Sequence, residues 1–498
     1  MNRGAAGATE APVRDRTYAA GLAAIVGAEF FVRAVLFHRI PLNDNEAATA
    51  VIARGLGRGA KLYTDLVEIK PPGSFLLFRW WDAVFGLSDG SVRMLATLAC
   101  LATTVLLGSI VRRVAGRNAG WAAAGAFAFF SLSPFTMGWA ANTDLLTLPF
   151  VAGGYWIVVR EWSTARWVPW IGAGMLIGCA AAIKQTAAIH VLVLGAVLAF
   201  RSRHAAGAAL VAGGACAVPV WWLLSGAPDP GAAWYWAVSV NVRYAALGRA
   251  FRHALPWELP FFSWREFAWQ HLALAGAAIW CAWRGWRSMP VVGSRVVLAW
   301  LAAALAPFAF GGWTFTYWFV ALVPPLCLLF AFCWQAAWSA RAGRWILAAF
   351  AAATVVSTYD SHAMYVRDSG GLILQRVTGA QREIRGAIAI ALDLHGRASA
   401  GETFYVFGSH PEIYWYSGVR PAVPHIWDYT RLRLSPDRVA ADRQLLAARP
   451  DWVVVVREER AESAPLIREL LASGYEAVRS IGGVEAFDLW RRNPVTRR

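Results

Sequence analysis

Apolar runs of about 20 residues recur along the first 358 positions, each bounded by short polar stretches. Such a run matches a hydrocarbon layer of roughly 30 Å at about 1.5 Å rise per residue. The pattern predicts about eleven spans, near 17–37, 91–111, 118–134, 144–160, 168–183, 185–200, 205–224, 268–284, 295–311, 314–338 and 344–358. From Tyr359 onward charge density rises, and helical and strand periods alternate. Gln381 to Leu394 reads as helix, Thr403 to Phe407 as strand, and Gln444 to Ala448 as a helix end. Trp452 to Val456 reads as a buried strand, Pro465 to Ser473 as helix, and Val484 to Trp490 as a last strand. Alternation of this kind predicts a small α/β layer domain. The expected fold is therefore mainly α: a polytopic transmembrane helical bundle with a small C-terminal extracytoplasmic α/β domain. Its divisions are a cytoplasmic tail over 1–16, a transmembrane domain over 17–358 and the α/β domain over 359–498.

Composition supports the membrane assignment. Hydrophobic residues make up 58% and charged residues 16% of the chain, the latter well below the roughly 25% of a soluble domain. The 28 tryptophans fit as well, because indole favours the headgroup zone. The segment Pro12 to Arg16 is too polar, and Tyr18 to Phe37 too long, for a cleaved signal peptide, so the first span is expected to stay. All six cysteines fall in predicted spans, which excludes a disulfide framework and points to packing.

Charge placement gives the orientation. Arg112, Arg113 and Arg117 follow the second span, Arg160 and Arg166 the fourth, and Arg201 and Arg203 the sixth. Arg284, Arg287 and Arg295 follow the eighth, and Arg341 with Arg344 the tenth. Every second loop is basic, so those loops face the cytoplasm, the N-terminus lies inside and the C-terminal domain outside. The net charge of +16 is then topological, satisfied by anionic lipid, and needs no nucleic acid.

The cytoplasmic connections are too short for a nucleotide-binding domain, whereas two external connections are long, 38–90 and 225–267. Polar chemistry belongs where polar groups can be solvated, so the external face is the candidate site. Asp44 and Glu46 stand directly beyond the first span, followed by an amphipathic stretch with Ala47, Val51 and Leu56 on one side. Tyr63, Asp65, Glu68 and then Lys70-Pro71-Pro72 come next, ahead of a short apolar segment, Phe75 to Phe85, expected to lie along the membrane surface. The chain has only three lysines, Lys61, Lys70 and Lys184, all on the predicted outer side. The positive-inside rule does not put them there, so a specific use competes with snorkelling to the interface. In the first span Glu29 and Arg33 are spaced i,i+4 and are expected to pair. His190 reads as a satisfied core histidine.

The first loop resembles a known family. An acidic pair after the first span, Gly-x-x-Leu-Tyr-x-Asp, Lys-Pro-Pro, then Phe85-Gly86 and Arg93 are similar to the polyprenyl-phosphate-sugar glycosyltransferases. These are GT-C superfamily enzymes of the protein O-mannosyltransferase and aminoarabinose transferase kind. Asn142-Thr143-Asp144 resembles their acidic second external loop, and the Gly311 to Leu329 run their aromatic-rich span with paired prolines. Two departures stand out: Asn45 separates acidic residues that are normally adjacent, and Thr316 stands where His commonly precedes the tyrosine.

The resemblance implies an integral-membrane, inverting glycosyltransferase acting on the extracytoplasmic face. Its partners would be a polyprenyl-phosphate sugar donor, membrane lipid, and a glycan, lipid or protein acceptor. The reaction needs a base for the acceptor hydroxyl and a cation for the departing phosphate. Asp44 and Glu46 are the candidate bases, although either could simply cap the following helix. Asp144 would orient the acceptor or support the base. Lys70 leads the phosphate-binding set, with Lys184, Tyr317 and an arginine of the second long loop; Arg243 fits best, with Arg249 and Arg252 as rivals. Lysine and arginine suffice for a monophosphate leaving group, so no metal or other cofactor is expected, although Asp44-Asn45-Glu46 could offer oxygen ligands to a divalent ion. A carrier or flippase of lipid-linked saccharides, or an O-antigen-type ligase or polymerase, is the alternative. In the tail, Ser409 to Glu412 follows the first strand, where α/β domains often place ligand contacts.

Overall fold

The computed structural model describes residues 16–163, 166–200, 203–254, 258–280, 291–311, 313, 315–338, 341–378, 384–483 and 485–493. Residues 1–15 of the expected N-terminal tail, Arg201, Cys281, Arg284, Arg287, Gln381 and Val484 lie outside the described residues, as do the side chains of Arg252, Cys333 and Arg341.

Among the described residues, sixteen α-helices precede the α/β domain. They are α1 (Arg16–Ala34), α2 (Asp44–Gly57), α3 (Gly73–Phe85), α4 (Asp89–Ala115), α5 (Arg117–Phe130), α6 (Thr143–Arg160), α7 (Val168–Ile183) and α8 (Ala188–Ala199). Then come α9 (His204–Ser225), α10 (Pro230–Trp234), α11 (Val240–Ala254), α12 (Glu258–Gln270), α13 (Leu272–Trp280), α14 (Val291–Phe310), α15 (Val323–Trp338) and α16 (Arg341–Arg367). Among the described residues, α1, α4, α9 and α14 are long and apolar enough to cross a membrane, and shorter apolar helices accompany them.

Helix α1 is built inside out relative to a soluble helix. Its buried residues are Tyr18, Glu29 and Arg33, while Phe30, Phe31 and Val32 are exposed. That is the arrangement expected of a helix whose apolar face meets lipid and whose charges must find partners within the protein. Glu29 and Arg33 do pair, at 3.0 Å. Thr104 donates to the second Glu29 oxygen at 2.6 Å, and Arg33 also donates to the Gly138 carbonyl and to Ser131. His190 is buried 3.2 Å from the Tyr155 hydroxyl.

The C-terminal domain holds a five-stranded sheet in the order β2-β1-β3-β5-β4, formed by β1 (Thr403–Phe407), β2 (Arg420–Pro421), β3 (Trp452–Val456), β4 (Tyr475–Ile481) and β5 (Phe487–Arg492). β1 pairs in parallel with β2 and β3, whereas β5 runs antiparallel to both β3 and β4. The helices α17 (Gly370–Thr378), α18 (Ile384–Arg397), α19 (Glu412–Ser417), α20 (Arg438–Ala448) and α21 (Ala464–Ala472) complete the domain. β3 is buried along its whole length, as a continuous valine run requires. The helix before the domain continues unbroken through residue 359 to Arg367, so the change of composition at Tyr359 falls inside α16.

The domain docks on the first loop. Val67 N–H donates to the Pro424 carbonyl at 3.0 Å, the Trp415 indole and Tyr416 hydroxyl donate to Asp89, and Leu42 N–H donates to Tyr416.

Candidate active site

The site grows from the start of α2. Asn43 caps the helix: its side-chain oxygen accepts from Glu46 N–H at 2.9 Å, while a Glu46 oxygen accepts from Asn43 N–H at 3.1 Å. This reciprocal pair satisfies two donors that a helix start leaves open. The other Glu46 oxygen meets the Arg93 guanidinium and accepts from Ala141 N–H at 2.7 Å. Arg93 continues to the Pro41 carbonyl at 2.6 Å. Glu46 is thus wholly buried with both oxygens engaged. Burial pushes its carboxyl above the ordinary carboxylate range, and Arg93 with the two N–H donors pulls it back. Asp44, two residues earlier, is only half-buried; its Oδ1 accepts from Asn45 N–H at 2.8 Å.

The Lys-Pro-Pro segment is clamped on several sides. Tyr63 donates to the Lys70 carbonyl at 2.7 Å, and Asn241 donates to the Ile69 carbonyl at 3.0 Å. Lys70 Nζ lies 3.6 Å from Glu68 Oε2, which accepts the Trp427 indole N–H at 2.7 Å. Gly73 closes the segment where a Cβ would stand 2.4 Å from the Ala182 carbonyl oxygen, so only glycine permits this approach to the end of α7.

Beyond α7, Lys184 binds Asp144 at 2.6 Å and stands 4.8 Å over the Trp318 ring. Desolvation favours the neutral amine, while Asp144 favours the ammonium. Gln185 then donates to Asn241 at 2.7 Å, tying this turn to α11.

Two adjoining cavities occupy the space between these elements. One, of about 420 Å³, has Lys70, Lys184 and Arg249 in its wall together with the carboxylate of Glu68, and Ile189, Val242 and Phe310 supply apolar surface. The other, of about 610 Å³, has Asp44 and Arg433 in its wall beside Trp313 and Trp427. Asn45, Asn142, Tyr244, Phe315, Tyr317 and Tyr429 line both.

Of the residues singled out in sequence, Asp44, Lys70, Lys184 and Tyr317 reach these cavities. Glu46 lies behind the wall with Arg93, and Asp144 holds Lys184. Arg243 Nη1 lies 3.5 Å from the Ser435 carbonyl, while Arg249, its rival, is the arginine in the first cavity's wall. Asn142, Asn241, Tyr244, Tyr429 and Arg433 also contribute without having been singled out for the site. Asn142 was visible beside Asp144, whereas nothing in the tail's sequence marks Tyr429 or Arg433 as neighbours of the first loop.

Residues 69–222 match the family described as dolichyl-phosphate-mannose-protein mannosyltransferase. Among curated proteins no relative is found. The chain is similar in structure to ArnT from Cupriavidus metallidurans bound to undecaprenyl phosphate, with a TM-score of 0.62 at 13% identity, covering 97% of this chain and 99% of that one. The same protein in the apo state gives 0.59 at 13% identity, over 95% and 98% of the two chains. The apo oligosaccharyltransferase of Archaeoglobus fulgidus gives 0.50 at 11% identity, over 97% of this chain and 75% of that one. The chain thus has an ArnT-like fold along nearly its whole length, with the match to the mannosyltransferase family confined to residues 69–222.

Proposed function

We propose that the protein transfers a sugar from a polyprenyl-phosphate donor to an acceptor hydroxyl, with inversion, on the extracytoplasmic side of the plasma membrane. The observation that carries this reading is the pairing of the cavities: one has three cationic side chains against one carboxylate, Glu68, beside apolar surface, and the other has the half-buried carboxylate of Asp44 with Arg433. The first suits a phosphate on a lipid tail, since lysine and arginine grip phosphate oxygens while the apolar wall covers isoprenoid. Undecaprenyl phosphate bound to ArnT is consistent with it.

In this mechanism the Asp44 carboxylate takes the acceptor's hydroxyl proton. The resulting oxygen forms a bond to the sugar's anomeric carbon, and the bond from that carbon to the phosphate oxygen breaks. The bonding electrons leave with the lipid phosphate, whose charge Lys70, Lys184 and Arg249 stabilise, with Tyr317 as a hydrogen-bond donor. Asp144 holds Lys184 in place, and Glu46 with Arg93 fixes the start of α2 so that Asp44 faces the acceptor side. Inversion follows from attack opposite the leaving phosphate in a single displacement. The basic loops of the sequence support an orientation with the N-terminus inside and the α/β domain outside.

The test is transfer from a synthetic polyprenyl-phosphate sugar by purified Asp44→Asn and Lys70→Ala proteins. Each is expected to lose transfer by about 10²-fold or more while remaining folded. Undiminished transfer by both would remove the assignment.

A further inference from the structure

The α/β domain contains a second constellation, remote in sequence from the first loop. His410 is fully buried just beyond β1, and its Nδ1 lies 2.8 Å from Glu412 Oε1. Its Nε2 faces Glu485 Oε2 at 3.2 Å and Glu459 Oε1 at 3.6 Å. The nitrogen and the two carboxylates converge so that their ligand atoms all lie within 4.8 Å of one another.

We propose that His410, Glu459 and Glu485 bind a divalent transition-metal ion, with zinc the best fit to one imidazole and two carboxylates. Spacing argues for it. Ligand atoms placed roughly 2.1 Å from a tetrahedral zinc are about 3.4 Å apart, and the two N···O separations bracket that value. The 3.2 Å to Glu485 is at the long end of a hydrogen bond and the 3.6 Å to Glu459 is beyond one, so a single imidazole N–H does not account for both carboxylates.

The surroundings agree. Glu412 receives the far side of the ring, which fixes the proton on Nδ1 and turns the Nε2 lone pair toward the two carboxylates, the usual support of a metal-bound histidine. Glu412 Oε2 is itself buried and has no hydrogen-bond partner among the described residues, so the pocket carries negative charge that a cation would offset. The backbone is shaped for the turn: Gly408 has φ 155°, and a Cβ there would meet Val456 at 2.4 Å. Glu459 is partly exposed and leaves a route from solvent.

Zinc held here joins the end of β1 to the segment after β3 and the segment before β5. The chain then leaves this turn for Trp415, Tyr416 and Trp427, the residues that grip Asp89 and Glu68. The ion would therefore be structural, stiffening the surface that docks on the first loop.

The full-length protein in detergent, stripped with EDTA and dialysed against zinc chloride, is expected to retain about one zinc per chain. His410→Gln and Glu485→Gln should retain none at that site. Glu412→Gln should bind it 10–100-fold more weakly, the usual effect of losing the group behind a ligating imidazole. Glu459→Gln, at a partly exposed position, keeps the test open should the buried variants fail to fold, and should also bind more weakly. Zinc retention by the wild type no greater than that of a folded Glu459→Gln variant would overturn the proposal and leave an ion-pair cluster.

Discussion

Trp427 of the α/β domain donates its indole N–H to Glu68 of the first loop at 2.7 Å, and the accepting oxygen lies 3.6 Å from Lys70 Nζ. The lysine assigned to the leaving phosphate is thus steered through one carboxylate by a residue more than 350 positions away. Trp427→Phe keeps most of the packing and removes the donor. Glu68 would then be free to draw closer to Lys70 and compete with phosphate. Donor KM should rise about tenfold, corresponding to the roughly 1.5 kcal/mol of a hydrogen bond to a charged group, with a stability loss of about 1–3 kcal/mol for the buried acceptor that loses its donor. An unchanged KM in steady-state assays would contradict this coupling.

Glu46 and Asp44 should separate by phenotype. Arg93 and Glu46 are both buried and bonded to each other. Arg93→Ala leaves an unpaired buried carboxylate and should cost about 3–5 kcal/mol of stability, seen as a lower melting temperature in detergent. Asp44→Asn should melt like the wild type and lose transfer. Were Glu46→Gln fully stable yet inactive, Glu46 would be the better candidate for the base.

Two arginines of α11 give a contrast. Arg249 borders the cation-lined cavity, whereas Arg243 reaches toward the Ser435 carbonyl. Arg249→Ala should weaken donor binding by about tenfold or more, as loss of a charge-assisted phosphate contact does. Arg243→Ala should leave donor binding within about twofold. Titration with a fluorescent polyprenyl phosphate distinguishes them.

The α/β domain should weaken in mild acid through His425. Burial, reinforced by the Arg431 charge, lowers this histidine from its ordinary value to about 4, and it stands 3.0 Å from the Thr430 hydroxyl. Folded His425 stays neutral where the unfolded chain already binds a proton, so its contribution is complete above pH ~6.5 and is lost as pH falls toward about 4. The difference is on the order of 3 kcal/mol at most. Between pH 6.5 and 4, melting of wild type should fall more steeply than that of His425→Gln.

Legibility in the sequence followed the range of the interaction. Thr403–Phe407 and Trp452–Val456 were readable to the residue because buried strands are continuous apolar runs. β4, Tyr475–Ile481, was not, since most of its side chains are exposed and its period is blurred by a register shift against β5. Lys70 and Lys184 stood out because lysine is otherwise so rare. The burial of Glu46 could not be seen, because its partner Arg93 lies 47 residues on. Nor could a choice between Arg243 and Arg249, which depends on how α11 packs against the α/β domain.

The wall shared by the two cavities bears on the order of events. Asn45, Tyr244, Tyr317 and Tyr429 belong to both compartments, so neither occupant must depart before the other arrives. Under the proposed direct displacement, no sugar is parked on the protein between half-reactions. Initial velocities measured at several fixed acceptor levels should then give intersecting rather than parallel reciprocal plots, and the enzyme incubated with donor alone should release no stoichiometric burst of lipid phosphate.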